Sequence, residues 1–82
     1  MNELKMYTQE EVAEMLHSHI STVSMLREIG VIMAIKTGRN FMFSKSSIER
    51  FQNDYAGLDV SNKFKALESM EIVEKRKNYR RE

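Results

Sequence analysis

Residues 8–51 read TQEEVAEMLHSHISTVSMLREIGVIMAIKTGRNFMFSKSSIERF, and the order of patterns in this stretch decides the fold class. Thr8 and Glu11 have capping-box spacing, in which each side chain bonds the other residue's backbone N–H. Glu10 and Glu11 place negative charge at the positive end of the helix dipole. Val12, Met15 and Leu16 follow at i, i+3, i+4, with Ala13 small enough for close helix approach. A short helix with a core-facing stripe is predicted, ending near Leu16 or His17. His17, Ser18 and His19 form a turn. A second helix is predicted over residues 20–29, with Val23 and Leu26 inward, Ile20 near that face and Arg27 at its edge. At about 100° per residue, Ser21, Ser24, Met25 and Glu28 lie opposite. Ser18, His19 or Ser21 is placed to cap this helix. Gly30 is placed to end it in a left-handed conformation.

Working outward, residues 31–36 are apolar and β-branched, and Phe41-Met42-Phe43 is a second short strand. Thr37-Gly38-Arg39-Asn40 between them reads as a hairpin loop with a glycine free to take positive φ. A third helix opens at residues 44–47, where Ser46 and Glu49 have capping-box spacing. Its apolar edge is Ile48, Phe51 and Tyr55, and Gly57 stops it. Met6 and Tyr7 form a short extended segment beside the first helix. Beyond residue 59, Val60, Phe64 and Leu67 share one helical face, with Met70, Ile72 and Val73 further along. This region is predicted as a helix that begins near Ser61, docks by the Phe64–Leu67 stripe, and frays into the basic tail EKRKNYRRE. The expected fold is mainly α with a small β-hairpin. A winged helix-turn-helix domain spans residues 1–59, and a C-terminal helical extension with a basic tail spans residues 60–82. Helix, turn, helix, hairpin, helix is an order that puts one helix in a DNA major groove. The hairpin tip then meets the adjacent backbone or minor groove.

Composition narrows the function classes. Eighty-two residues make one domain. The chain has no cysteine and two histidines, so a thiolate site is excluded and a zinc site is not expected. His17 and His19 lie two apart in a turn with no third ligand in reach by sequence, and capping or phosphate contact suits them better. Glu10, Glu11 and Glu14 read as a solvated helix face that complements the dipole, not as a catalytic pair. No nucleophile–base arrangement, phosphate-binding loop or metal cluster is present, so the expectation is a non-enzymatic protein with no cofactor and no evident small-molecule substrate. MNELKMYTQEE is polar, with no apolar signal run and no segment of bilayer length anywhere in the chain, so a cytoplasmic protein without membrane contact is expected. The net charge of +1 is uninformative. Its distribution is not: residues 1–59 hold six Lys/Arg against eight Asp/Glu, and residues 60–82 hold seven against four. A DNA reading must therefore rest on where charge is placed.

Residues 7–51 resemble the excisionase-type branch of the MerR-like winged helix-turn-helix proteins, small DNA-binding proteins of phages, plasmids and transposons. The resemblance rests on Glu10, Glu11, Val12, Ala13 and Leu16 in the first helix, and on Ser21, Thr22, Val23 and Leu26 in the second. Gly30, the apolar run from Ile32 to Ile35, Gly38-Arg39 and Phe41-Met42-Phe43 follow at matching spacing. The chain departs from the pattern at His17, where the family has Gly, and at Ser18, where it has an apolar residue. It departs also at Ile20, Ser24, Met25 and Asn40, where basic or aromatic residues are usual, and at Met33, where Pro is. The scaffold is kept while the DNA-facing chemistry is thinned.

The resemblance implies sequence-specific binding of double-stranded DNA, as an excision accessory factor or small regulator from a mobile genetic element. Alternatives within DNA binding are a phage transcriptional repressor and the DNA-recognition subunit of a packaging enzyme. An alternative of another class is a protein-binding adaptor or inhibitor that uses the methionine-rich, weakly charged second helix. The expected DNA-binding residues are Ser21, Thr22, Ser24, Met25 and Arg27 on the second helix and Lys36, Thr37, Arg39 and Asn40 on the wing. Lys75, Arg76, Lys77, Arg80 and Arg81, around Tyr79, are candidates for further phosphate contacts or for a solvated tail. A recombinase or integrase, or a second copy of the chain, is the candidate protein partner.

Overall fold

The computed structural model of the protein describes residues 4–80, without the side chains of residues 79 and 80. Along the chain run β1 (Met6–Thr8), α1 (Gln9–Met15), α2 (Ile20–Ile29), β2 (Ile35–Thr37), β3 (Asn40–Ser44), α3 (Lys45–Asp54) and α4 (Lys63–Arg80). The fold is mostly helical, with a small antiparallel sheet in the order β1-β3-β2. Where the sequence predicts a hairpin alone, the Met6–Tyr7 segment adds a third strand. Tyr7 pairs with Phe43 and Thr8 with Met42, which makes β3 the central strand and buries Phe43 fully.

α1 starts at the expected capping box: the Thr8 N–H donates to Glu11 Oε1 at 2.9 Å and the Glu11 N–H to Thr8 Oγ1 at 3.1 Å. It closes with a Schellman pair of bonds, His17 N–H to the Glu14 carbonyl at 3.1 Å and Ser18 N–H to the Ala13 carbonyl at 2.9 Å. The left-handed position this closure requires is His17, at φ 53°. α2 has the predicted bounds and closes the same way. The Gly30 N–H donates to the Arg27 carbonyl at 3.2 Å and the Val31 N–H to the Leu26 carbonyl at 2.9 Å, with Gly30 at φ 93°. One motif thus ends both helices, once with glycine and once with histidine. The other end of α2 differs from expectation, since its N-cap is His19 and no side chain makes a capping bond there.

The α1 stripe is corrected too. Val12 and Ala13 are buried, Leu16 is half-buried, and Met15 is 43 % exposed. α2 packs closely on α1, and that approach selects the side with the small Ala13. The predicted strand over residues 31–36 shrinks to β2. Val31 and Ile32 bond back to the Leu26 carbonyl, so they plug the core beneath α2 and make no ladder. The hairpin loop also tightens. Thr37 pairs with Asn40, leaving Gly38 and Arg39 as a two-residue tip with Gly38 at φ 69°. α3 begins earlier than Ser46, because β3 runs straight into it and leaves Ser44 as the last extended residue. The Ser47 N–H donates to Ser44 Oγ at 3.1 Å. Tyr55 then stacks on the buried Phe51, ring centroids 5.6 Å apart.

α4 departs most from expectation. Asn62 caps it, accepting the Lys65 N–H at 2.8 Å, and the helix runs unbroken to Arg80, while residues 81–82 of the segment predicted to fray lie outside the described residues. Its inward residues are Ala66, Ser69 and Val73, with Met70 half-buried, whereas Phe64 is 69 % and Leu67 46 % exposed. Close packing on α2 again selects small side chains over large ones. Ala66 joins Val12, Val23, Leu26, Val31, Ile32, Phe43, Ile48 and Phe51 in one core. Ser69 Oγ donates to the Asp59 carbonyl at 2.8 Å, and Lys77 Nζ lies 3.2 Å from Asp54 Oδ2 on α3. Among the described residues no helix is long and apolar enough to cross a membrane.

Candidate nucleic-acid interface

The hairpin is the most exposed part of the expected site. β2 has no buried residue, and Lys36, Thr37, Arg39 and Asn40 all face solvent. Gly38, at positive φ, forms the two-residue tip with the exposed Arg39. Arg39 and Asn40 also line a cleft of about 290 Å³ with Thr8, Gln9, Glu10 and Phe41, between the hairpin and the start of α1.

α2 presents a narrower free side than the helical wheel implies. Val23 and Leu26 are buried, and Met25 and Ile29 pack against the core. Met25 is therefore half-buried and not part of an open outer face. Thr22 is half-buried as well, beside a cleft of about 360 Å³ shared with Ser18 and residues 58–61. Ser18 Oγ is buried there without a hydrogen-bond partner. The free side of α2 consists of Ile20, Ser21 and Glu28, with Ser24 half-buried between them. Glu28 is on the side where the wheel puts it, but Ile20, expected near the inward face, is 42 % exposed and belongs to the free side. The free side shifts toward the first turn of the helix because Met25 packs against the core and Thr22 is half-buried.

Arg27 is half-buried and engaged within the fold. Its Nε donates to Gln9 Oε1 at 2.9 Å, and its guanidinium carbon sits 3.6 Å from the centroid of the Phe41 ring. Glu28 Oε2 lies 3.8 Å from Arg27 Nη2, and the Arg27 side chain is 20 % exposed. Gln9 and Phe41 are thus structural partners that no local pattern indicated, since both contacts join distant parts of the chain. Lys36 and Arg39 are exposed cations on the hairpin and Lys45 and Arg50 on α3, with Arg50 in a cleft beside Gly30 and Val31 at the end of α2, while Glu10, Glu11, Glu14 and Glu28 are exposed acids on α1 and α2.

Lys75, Arg76 and Lys77 are exposed on α4, and Lys77 is paired with Asp54. The side chains of Tyr79 and Arg80, and Arg81 altogether, lie outside the described residues. Asp59 precedes α4 and accepts from the Ser61 hydroxyl at 2.7 Å and the Ser61 N–H at 2.9 Å, bonds that hold its carboxyl below the ordinary range. Among the described residues no three His, Cys, Asp or Glu side chains converge to hold a metal ion. Comparison of the chain with protein-family models, with curated proteins and with solved structures gives no match in any of the three.

Proposed function

We propose that this chain is a winged helix-turn-helix protein that binds double-stranded DNA sequence-specifically. Its role is that of an excisionase-like accessory factor or small regulator from a mobile element, acting in the cytoplasm without catalysis or cofactor. The single observation that carries the reading is the exposed cationic hairpin, Lys36 and Arg39 around a glycine tip, set against a helix pair joined by a tight left-handed turn. In this reading α2 offers Ser21 and Ser24 to a groove, where hydroxyls bond phosphates or base edges. The hairpin grips the flanking backbone. One copy presents few base-reading groups, so useful specificity comes from adjacent copies or a partner recombinase.

A protein-binding adaptor is the second reading. It is favoured by one observation: the free side of α2 pairs serines with Ile20 and Glu28, and Glu28 repels phosphate. Fluorescence anisotropy on duplex DNA over a range of salt separates the two. DNA binding is expected to weaken steeply, with a slope reflecting roughly three to five phosphates per copy. Arg39→Ala is expected to cost roughly 1–3 kcal/mol of affinity and leave the melting temperature unchanged. No binding to duplex DNA at low salt sinks the first reading and leaves the second.

A further inference from the structure

Arg27 joins three elements. Its Nε bonds Gln9 at the first residue of α1, its planar face covers Phe41 on β3, and it stands on α2 itself. Phe41 pairs across the hairpin with Lys36 and lies two residues from Arg39. β2 is wholly exposed, so the outer hairpin is held through β3, where Phe41 packs partly buried against the core with the Arg27 guanidinium over its ring. The guanidinium can do this because it offers an edge donor and a flat cationic face together. A lysine ammonium has no such plane.

We infer that Arg27 is a positioning residue, which fixes the hairpin carrying Lys36 and Arg39 against α2, and is not itself a DNA contact. Its effect on binding rests on the DNA reading above, whereas its effect on hairpin orientation does not. With Nε on Gln9, the face on Phe41 and Nη2 turned toward Glu28, the guanidinium is engaged within the fold. The hairpin then meets DNA in an orientation set in advance, so less ordering cost falls on the binding step.

The test uses the full chain as wild type, Arg27→Lys, Arg27→Met and Phe41→Leu. Without DNA, NMR residual dipolar couplings report the orientation of the β2–β3 amides relative to α1 and α2. All three variants are expected to reorient or disorder the outer hairpin while the helix couplings stay as in wild type. Hairpin couplings unchanged in Arg27→Met overturn the proposal. Should the Arg27 variants unfold, Phe41→Leu reads the same contact from its other side.

With a fluorescein-labelled random-sequence duplex, Arg27→Met and Arg27→Lys are expected to weaken binding alike, by roughly three- to tenfold, the worth of a cation–π contact. Added to Arg39→Ala, Arg27→Met is expected to change affinity little further, because its effect passes through the hairpin. Full affinity in Arg27→Lys, or additive losses in the double variant, make Arg27 a direct charge contact and overturn the inference. Absence of duplex binding by the wild type defeats the DNA reading alone, and the couplings then decide the role of Arg27.

Discussion

At His17 a side chain occupies the left-handed conformation that the closure of α1 requires, φ 53°, while Gly30 fills the same place after α2. For an L-residue that conformation costs roughly 1–2 kcal/mol, though histidine tolerates it better than most. A glycine there removes the cost but adds freedom to the unfolded chain. His17→Gly is therefore expected to stabilise by no more than about 1 kcal/mol, and His17→Val to destabilise, in urea denaturation. The neighbouring Ser18 Oγ is buried without a partner. Ser18→Ala removes an unmet polar group and is expected to raise the denaturation midpoint by an amount on the order of 1 kcal/mol. A fall in the midpoint would show that the hydroxyl has a partner in solution. Tyr55 gives a pH dependence. Burial raises its phenol above the ordinary value, and Asp54 and Glu74 raise it further. The folded state then holds this proton more tightly than the unfolded chain does. The stabilisation is intact below the unfolded value of about 10 and is lost as pH rises from there through the folded value. Alkaline thermal melts are expected to show a smaller loss in Tyr55→Phe, which keeps the stack on Phe51, than in wild type. Equal losses would show that Tyr55 does not contribute.

α4 shows at the scale of one element how packing overrides a hydrophobic wheel. Ranked by side chain, Phe64 and Leu67 make the best inward stripe, yet Ala66, Ser69 and Val73 are the residues buried. A helix that lies close to another must present small side chains at the crossing, and Ser69 adds a bond to the Asp59 carbonyl that a larger apolar residue cannot make. Phe64→Ser is expected to leave stability within about 0.5 kcal/mol of wild type, as for an ordinary surface change. Ala66→Leu is expected to cost about 1–3 kcal/mol by forcing α4 off the core. Thermal melts of both variants check this, and a larger loss for Phe64→Ser would mean that the Phe64 side is the docked one in solution. In α2 the expected inward pair Val23 and Leu26 is the pair that is buried, although Ile20, expected near that face, is 42 % exposed.

Over the whole molecule, α4 is part of the single core, for Ala66 lies in the same cluster as Val12, Val23 and Phe43. Ending the chain after Asn62 is expected to lower the urea midpoint by about 2–5 kcal/mol in stability, through uncovering that core and breaking the Lys77–Asp54 pair. An unchanged midpoint would make α4 an appendage. What the sequence by itself determined is the set of local features. These are the Thr8–Glu11 box, the bounds of α2 with Gly30 at its end, the glycine hairpin tip with Arg39 exposed, and the inward turn of Val23 and Leu26. Each depends on residues a few positions apart, or on a backbone angle that one residue type prefers, so neighbours in sequence suffice to specify it. The tertiary structure alone decided that Met6 and Tyr7 pair with β3, that Met15 and Phe64 face outward, that Met25 packs inward, and that Arg27 is spent on Gln9 and Phe41. These outcomes depend on which distant surface arrives and how closely it packs. Periodicity ranks faces by apolar content, but a close helix crossing selects by size, and a guanidinium at a helix edge goes to whichever acceptor and ring the folded chain brings within reach.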